Sequence, residues 1–246
     1  MFGRSKRTQE KFKKLQVSFS RNLNHHIRNP LNAIVLHADL LTHLVPPGEE
    51  IHASLNAIAL SSGQLERNLR AILDLYRIET STFDVKPAAI RLSELIKRQL
   101  SEVRSRAERK SIKLTLDSSD PEITVSADRY CLAHALDNLL DNAIKHTEHC
   151  QVTVRVYVEP AGAVCIDVED TGSGIDPARL PLLFESFFHT EDGLAEGQGS
   201  GLGLTLAKRY LALNGAELSV KSENHCGSIF TVRLPARDQK NRIVGR

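Results

Sequence analysis

Residues 1–80 carry apolar side chains at helical spacing, and glycine is rare among them. From residue 51 to residue 76 the gaps alternate between four and three, a heptad seam typical of helices that pack against other helices. The seam consists of Ile51, Leu55, Ile58, Ser62, Leu65, Leu69, Ile72 and Tyr76. A similar stripe precedes it at Leu23, Ile27, Pro30, Ile34, Leu41 and Leu44.

The two stripes are separated by Pro46, Pro47 and Gly48, the strongest turn signal in this part of the chain. They predict two antiparallel helices joined by a short loop, an all-α helical hairpin. A lone hairpin buries little apolar surface, whereas two copies that form a four-helix bundle bury both seams. We therefore expect a homodimer.

Helices and strands alternate after residue 91, following a segment at 83–90 that we interpret as a linker. The apolar periodicity predicts helices at 91–109, 128–146 and 201–213. It predicts strands at 112–116, 123–125, 152–158, 163–168, 218–222 and 228–234, the third and fourth of them forming a β-hairpin. The second region is therefore predicted to be an α+β sandwich, with helices packed on one face of a mixed sheet.

The composition narrows the class of protein. Apolar residues make up 41% and charged residues 25% of the chain, as in an ordinary globular protein. A net charge of +2 argues against a bulk nucleic-acid binder. The four cysteines lack paired spacing, and neither a membrane-spanning apolar run nor a signal peptide occurs. We therefore expect a cytoplasmic chain, or the cytoplasmic part of a larger receptor.

The helix predicted at 128–146 carries polar residues at a spacing that suits phosphate chemistry. Asn138 and Asn142 are four residues apart, so both project from one helical face, and Lys145 follows on the same side. A cation and two amide oxygens on one face suit a magnesium–triphosphate group. Taken alone, the pattern fits an ordinary polar helix face equally well.

Two segments that contain glycine follow this helix. Asp170 ends a strand, and Gly172 and Gly174 come directly after it. A carboxylate there can accept from the exocyclic amine of a base, and glycines allow close backbone approach, although an ordinary turn has the same residues. The segment 197–204 opens a helix, whose free amides bind phosphate. It follows no strand and lacks the P-loop lysine, so neither the dinucleotide-binding fingerprint nor a P-loop fits.

The order and spacing of these elements resemble the ATP-binding domain of sensor histidine kinases, over about residues 91–235. That domain belongs to the ATPase superfamily (the GHKL or Bergerat fold) that includes gyrase-type topoisomerases, Hsp90 chaperones and MutL mismatch-repair proteins. Residues 138–147 are similar to the N box, 170–174 to the G1 box, 183–188 to the F box and 199–204 to the G2 box.

The first helix adds a segment, residues 19–31, that is similar to the H box of the dimerisation and histidine-phosphotransfer domain. In that family the phosphoacceptor lies five residues before a proline, a position that His25 takes ahead of Pro30. A helical projection agrees with this choice. His25 lies about 200° from the core direction set by Leu23 and faces solvent, whereas His26 lies at about 300°, on the flank.

The resemblance implies a set of nucleotide contacts. Asn142 would ligate Mg²⁺, Asn138 would support its water shell or the phosphates, and Lys145 would contact phosphate. Asp170 would accept from the adenine amine, and His146 stands where an aromatic ring often packs beside the nucleotide. The remaining candidates belong to the glycine loops and to a lid at about 185–200: Gly172, Gly174, Phe184, Phe187, Gly199, Gly201, Leu202 and Gly203.

One residue departs from the family pattern. Relatives usually carry Glu or Asp directly after the acceptor, as the base that takes the ring proton, and here the residue is His26. Three interpretations stay open. His26 is a weaker base whose activity falls below about pH 6.5, the autokinase is slow, or the chain is a degenerate kinase that regulates by dimerising. Asn29 matches the position that orients water when a regulator is dephosphorylated.

Together these features predict an ATP-dependent protein-histidine kinase of a bacterial two-component system. It would phosphorylate His25, pass the phosphoryl group to an Asp of a response-regulator receiver domain, and dephosphorylate that regulator if Asn29 acts. The alternative is a degenerate ATP-binding dimeric scaffold, or a phosphatase-biased regulator with weak autokinase activity. A gyrase- or Hsp90-type machine would carry Glu at Asn138, and an anti-sigma serine kinase would lack the hairpin.

The resemblance also sets the expected domain organisation. We expect a basic helical segment or stub at 1–16, the dimerisation and phosphotransfer domain at 17–82, a linker at 83–90, the catalytic ATP-binding domain at 91–236 and a disordered tail at 237–246. The expected partners are a second copy of the chain, a receiver domain and, where one precedes the chain, a sensor domain. Nucleic acid is not expected to bind.

Overall fold

The computed structural model describes residues 33, 34, 36, 37, 40, 49–147, 150–185 and 201–236. These residues fall into two compact units, which divide between Thr80 and Ser81. No helix within the described ranges carries an apolar stretch that could cross a bilayer. The predicted H box at 19–31 and the predicted turn at 46–48 lie outside these ranges.

The first unit contains one long helix, α1, from Glu49 to Glu79, and the described residues of the preceding segment are also helical. The end of α1 has clear local causes. The Thr80 hydroxyl donates to the carbonyl of Tyr76 at 2.8 Å, and Ser81 adopts a φ of 56°, which no helix continues through. The second of the two predicted helices is therefore confirmed.

The predicted seam of α1 is incompletely covered. Leu65 and Ile72 are half-buried, whereas Leu69 and Tyr76 are 44% and 59% exposed. The buried apolar position in this part of the helix is Leu75, which is off the seam. An apolar stripe this open marks a surface that another surface usually covers.

The second unit contains two sheets. Strands β1 (Pro87–Arg91) and β3 (Thr124–Asp128) form an antiparallel pair. Five further strands are β2 (Lys113–Ser118), β4 (Gln151–Val158), β5 (Val164–Asp170), β6 (Glu217–Glu223) and β7 (Gly227–Leu234). Their order in the sheet is β2-β4-β5-β7-β6, and β2–β4 is parallel while the other pairs are antiparallel.

Three helices of the second unit pack on one face of the larger sheet. They are α2 (Leu92–Arg109), α3 (Arg129–His146) and α4 (Gly203–Leu213), with a short 3-10 helix at Leu180–Leu182. The core between the layers includes Ile96, Leu136, Leu139, Ile166, Val168, Leu211 and Phe230, all buried. The opposite sheet face is polar, since Arg155 pairs with Glu169 at 2.6 Å there. The predicted α+β sandwich with a mixed sheet is thereby confirmed for this unit.

Most predicted elements of this unit are confirmed within a few residues, including the β4–β5 hairpin. Strand β1 was not predicted, because it lies within the segment interpreted as a linker. Its sequence, with a proline and two alanines, has weak strand propensity. Pairing with β3 forms it, and Ile90 opposite Val125 is fully buried.

Candidate functional site

Helix α3 is the element on which the candidate site is built. It begins after Asp128, whose carboxylate accepts from the amide of Cys131 at 2.9 Å, as an N-cap residue does. Burial acts to raise the pKa of Asp128, but hydrogen bonds from the amides of Cys131 and Lys86 hold it below its usual value. Leucines at helical spacing bury the opposite face of α3: Leu132, Leu136, Leu139 and Leu140.

The predicted polar face of α3 meets the start of helix α4. Asn138, Asn142 and Lys145 are each half-buried. The Asn138 amide donates to the carbonyl of His134 at 2.8 Å, and a Cβ on Gly203 would lie 3.0 Å from Oδ1 of Asn138. The N-box helix and the G2 glycines, separated by some sixty residues in the sequence, are therefore in contact.

The loop after Asp170 packs on the other end of α3. A Cβ on Gly172 would lie 2.0 Å from the carbonyl oxygen of His146, so only glycine fits there. The amide of Ser173 donates to the same oxygen at 3.2 Å. Gly174, with a φ of +68°, passes equally close to the carbonyl of Glu223. The loop is thus held between the end of α3 and the β6–β7 turn.

Asp170 is a buried carboxylate that accepts hydrogen bonds from neighbouring residues. It is 3% exposed, accepts from the Gly172 amide at 2.9 Å and is hydrogen-bonded by Ser228. Burial raises the pKa of Asp170, the charge of Glu169 adds to the effect, and the bonds from Gly172 and Ser228 oppose it. Such a carboxyl is a strong acceptor for one further N–H donor, because burial leaves it short of water.

His146 is electrically neutral at pH 7. Burial of its ring, assisted by the charges of Lys145 and Lys110, lowers the pKa of His146 from 6.5 to about 4. More than a third of the residue remains accessible. A neutral, partly open ring at the end of the helix can lie against a flat ligand without adding charge.

The F-box segment is tied to helix α4. The hydroxyl of Thr205 donates to the carbonyl of Phe184 at 3.2 Å, and Nζ of Lys208 lies 4.8 Å from the centre of the Phe184 ring. Phe184 therefore anchors the point from which the predicted lid would start.

The structure brings together the predicted candidates of α3, of the 170–174 loop and of the start of α4. Gly201, with a φ of 64°, and Leu202, fully buried, complete the approach to α4. Five predicted residues lie outside the described ranges: His25, His26, Asn29, Phe187 and Gly199.

Sequence reasoning missed three residues that support this site. Ser228 contacts Asp170, Thr205 holds Phe184, and Lys110 contacts the end of α3. A signal existed for Ser228, because period-two alternation places it on the same face as the buried Phe230 and Val232. The other two contacts join segments that are distant in the sequence, so no local sequence pattern predicts them.

Two known sequence families match the chain. Residues 127–238 match the "Histidine kinase-, DNA gyrase B-, and HSP90-like ATPase" family. Residues 15–81 match the "His Kinase A (phospho-acceptor) domain". The second match includes the predicted H box, and the first includes the N, G1, F and G2 boxes.

Individual proteins that are similar to the chain include sensor kinases, in agreement with the two family matches. The chain is 28% identical to the autoinducer 2 sensor kinase/phosphatase LuxQ of Vibrio parahaemolyticus, over 98% of this chain and 29% of LuxQ. Among solved structures, full-length ShkA in complex with AMPPNP is 27% identical with a TM-score of 0.68, over 87% of this chain and 44% of ShkA. The solved chain of the mycobacterial sensor histidine kinase MprB is 30% identical with a TM-score of 0.54, over 62% of this chain and 99% of the solved chain.

The chain spans 11% of the length of the hybrid signal transduction histidine kinase B of Dictyostelium discoideum and 37% of that of the histidine protein kinase DivJ of Caulobacter vibrioides. Both families occur in the order phospho-acceptor, then ATPase, and in the second unit the N-box helix contacts both glycine segments. The chain therefore belongs to the sensor histidine kinases, with their phospho-acceptor domain and their ATPase domain.

Proposed function

We propose that the chain is an ATP-dependent histidine autokinase that phosphorylates His25 and passes the phosphoryl group to an Asp of a response-regulator receiver. One observation carries the proposal: both glycine segments pack directly on α3, Gly203 against Asn138 and Gly172 against His146. Two segments that are far apart in the sequence thus lie against one helix, as a nucleotide that touches all three elements requires.

The base and the phosphates have separate candidates. Asp170 accepts a hydrogen bond from the exocyclic amine of adenine, and a hydrogen bond from Ser228 helps to hold its carboxylate in place. The free amides at the start of α4 suit phosphate oxygens, as does the ammonium of Lys145. The bound nucleotide analogue of ShkA is the precedent among the similar structures. We infer that the lid at 185–200, with Phe184 and Phe187 as its anchors, closes over the nucleotide.

Mg²⁺ is the metal that this donor set fits. Among the described residues, no group of three or more His, Cys, Asp or Glu side chains could hold a metal ion. Mg²⁺ commonly takes one or two protein oxygens and completes its shell with substrate phosphates and water. The half-buried Asn142 offers such an oxygen, and Asn138 lies one turn away. The ion would neutralise charge on the phosphates.

The chemical step would follow from the H box. A ring nitrogen of neutral His25 attacks the γ-phosphorus, a P–N bond forms, the bond to the bridging oxygen breaks and ADP leaves. His26 would take the ring proton, since an imidazole with an ordinary pKa near 6.5 can accept a proton at neutral pH. The receiver's Asp then attacks the phosphoramidate and regenerates His25.

We infer a homodimer through the helical hairpin, with a four-helix bundle as its form. The open seam of α1 supports this proposal, because Leu69 and Tyr76 remain exposed in a single chain. A cytoplasmic location suits ATP and a receiver as substrates. Residues 17–82 would be the dimerisation domain and 91–236 the catalytic domain, with strand β1 beginning the catalytic fold before residue 91.

A phosphatase-biased regulator is the second candidate, favoured by His26 in place of an acid. The similar LuxQ is named a sensor kinase/phosphatase, and Asn29 is our candidate for orienting the water that attacks the phosphorylated regulator.

The proposal is tested by incubating the full chain with γ-labelled ATP and Mg²⁺. We expect acid-labile, alkali-stable label in the parent and none in His25→Ala, which should bind ATP normally. Asp170→Asn should lose both label and nucleotide binding. Replacing His26 by Glu should leave or raise the rate, while His26→Ala should lower it. Label that persists in His25→Ala would contradict the acceptor assignment. No label in a parent that binds ATP would favour the phosphatase, which a phosphorylated receiver and Asn29→Ala would test.

A further inference from the structure

The last turn of helix α3 presents carbonyl oxygens that its own helix cannot satisfy, as every helix end does. The ammonium of Lys110 donates hydrogen bonds to most of these oxygens. Nζ of Lys110 lies 2.8 Å from the carbonyl oxygen of Lys145 and 3.1 Å from that of Ile144. It lies 3.4 Å from that of Thr147. These are charge-assisted hydrogen bonds, and a cation at a helix C-terminus also opposes the helix dipole favourably.

Lys110 is presented by a turn that is itself fixed. The turn follows α2, where the amides of Lys110 and Ile112 both donate to the carbonyl of Ala107, at 3.0 and 2.9 Å. Ser111 takes the left-handed conformation between them, with a φ of 54°, and Ile112 is buried. The ammonium therefore reaches α3 from a rigid support on another element, rather than from a mobile surface.

The helix end that Lys110 holds is in contact with the 170–174 loop, which carries Asp170. The one carbonyl it does not take, that of His146, accepts from Ser173 and packs against Gly172. Gly172 in turn donates to Asp170. A continuous path of backbone contacts thus runs from Lys110 through the last turn of α3 to the carboxylate proposed for adenine.

We propose that Lys110 is a positioning residue of the nucleotide site, whose ammonium fixes the last turn of α3 and so the spacing between Lys145 and Asp170. The proposal rests on the proposed function, since it assigns a phosphate contact to Lys145 and a base contact to Asp170. The proposal gives Lys110 no contact of its own with the base or with the phosphates. It acts through the helix end, so removing it should weaken nucleotide binding while both contact residues remain.

The charge of Lys110 gives a second readout, because the ring of His146 lies close enough to sense that charge. Both Lys110 and Lys145 disfavour protonation of the His146 ring. Loss of the Lys110 charge should therefore raise the pKa of His146, and Lys110→Arg, which keeps the charge, should not.

The experiment uses the full chain with Lys110→Met, Lys110→Arg and, as the matched control, Lys97→Met. Lys97 is exposed on the same helix, α2, that leads to Lys110. Binding of AMPPNP with Mg²⁺ is measured by calorimetry, and the His146 ring is titrated by NMR with His146→Gln to assign its signal. Urea unfolding of each variant identifies any loss of fold.

We expect Lys110→Met to raise the Kd for AMPPNP about tenfold, which is what the loss of about one nucleotide contact at a displaced Lys145 or Asp170 would cost. Lys110→Arg, which keeps a cation and donors, should stay within about threefold of the parent, and Lys97→Met should change nothing. The pKa of His146 should rise in Lys110→Met only. If folded Lys110→Met binds AMPPNP like the parent, or if Lys110→Arg fails as badly as Lys110→Met, the positioning role is wrong. A parent that binds no AMPPNP would instead overturn the proposed function, and the proposal with it.

Discussion

Helices α1 and α3 have similar amphipathic patterns, but the apolar face of α3 is buried and that of α1 is partly exposed. Leu136 and Leu139 of α3 are buried almost completely by the rest of their own unit. Leu69 and Tyr76 of α1 lie on a seam of the same kind, and about half of each remains exposed. The lesson is that periodicity shows that a helix has an apolar face, and only the tertiary structure shows whether the chain itself covers that face.

The comparison predicts two kinds of stability. The ATPase unit should unfold at a point that does not depend on protein concentration, because its core is complete. The helical unit should gain stability as concentration rises, because a second copy supplies the missing cover.

The largest effect is expected in the core of α3. Leu139→Ala should destabilise the ATPase unit by about 3 kcal/mol, because the lost side chain leaves a cavity that the packed layers cannot close. Urea unfolding of the full chain at two protein concentrations measures this, and the shift should be the same at both. Leu182→Ala is the control, since Leu182 is 48% exposed and its truncation should cost little. A concentration-dependent loss in Leu139→Ala would contradict the contrast.

The seam of α1 should respond in the other way. Replacing both Leu69 and Tyr76 by Ser should raise the dimer dissociation constant about tenfold or more, because apolar cover at the interface is lost. Sedimentation equilibrium measures the change, and nucleotide affinity should not move. Leu60 is 71% exposed and off the seam, so Leu60→Ser is the matched control. Equal weakening by Leu60→Ser would place the interface on another face of α1.

The smallest effect concerns Asp137, on the half-buried edge of α3. Burial is the main cause that raises the pKa of Asp137 to about 6, with Glu102 and Asp141 adding to it and the Gln99 amide and Arg106 opposing. The folded state therefore holds a proton more tightly than the unfolded state, whose pKa is near 3.8. Stability should fall as the pH rises from about 4 to about 6.

Asp137→Asn should remove that loss. We expect the variant to be more stable than the parent by about 1 kcal/mol at pH 7.5, with the difference shrinking toward zero near pH 4. Urea unfolding across this range measures it. Asp117→Asn is the control, because Asp117 is exposed on strand β2 and is not among the groups that shift the pKa of Asp137. A variant that is less stable than the parent at pH 7.5 would show that the Gln99 bond outweighs burial.

The sequence predicted those parts of the fold whose causes are local. Helix α3 has an N-cap at Asp128 and a regular leucine stripe, so its bounds were predictable within a residue. Strand β1 was missed because its stability comes from β3, more than thirty residues later. The structure places Gly203 beside Asn138 and Gly172 beside His146, and the roles assigned to the motif residues stay predictions. Thr205 and Lys110 were missed because each acts on a backbone carbonyl of another element, which sequence periodicity does not encode. The assignments of His25, His26 and Asn29 stay predictions.

The larger sheet ends, within the described residues, in strands β2 and β6. Their outward positions carry charge, with Lys113 and Asp117 on β2 and Glu217, Lys221 and Glu223 on β6. An edge with unpaired amides and carbonyls invites another strand, and charged side chains there make such pairing unfavourable. In the proposed homodimer, which would hold two ATPase units at high local concentration, these charges would disfavour the joining of the two sheets into one. Self-association would then be left to the helices, where it can be reversible.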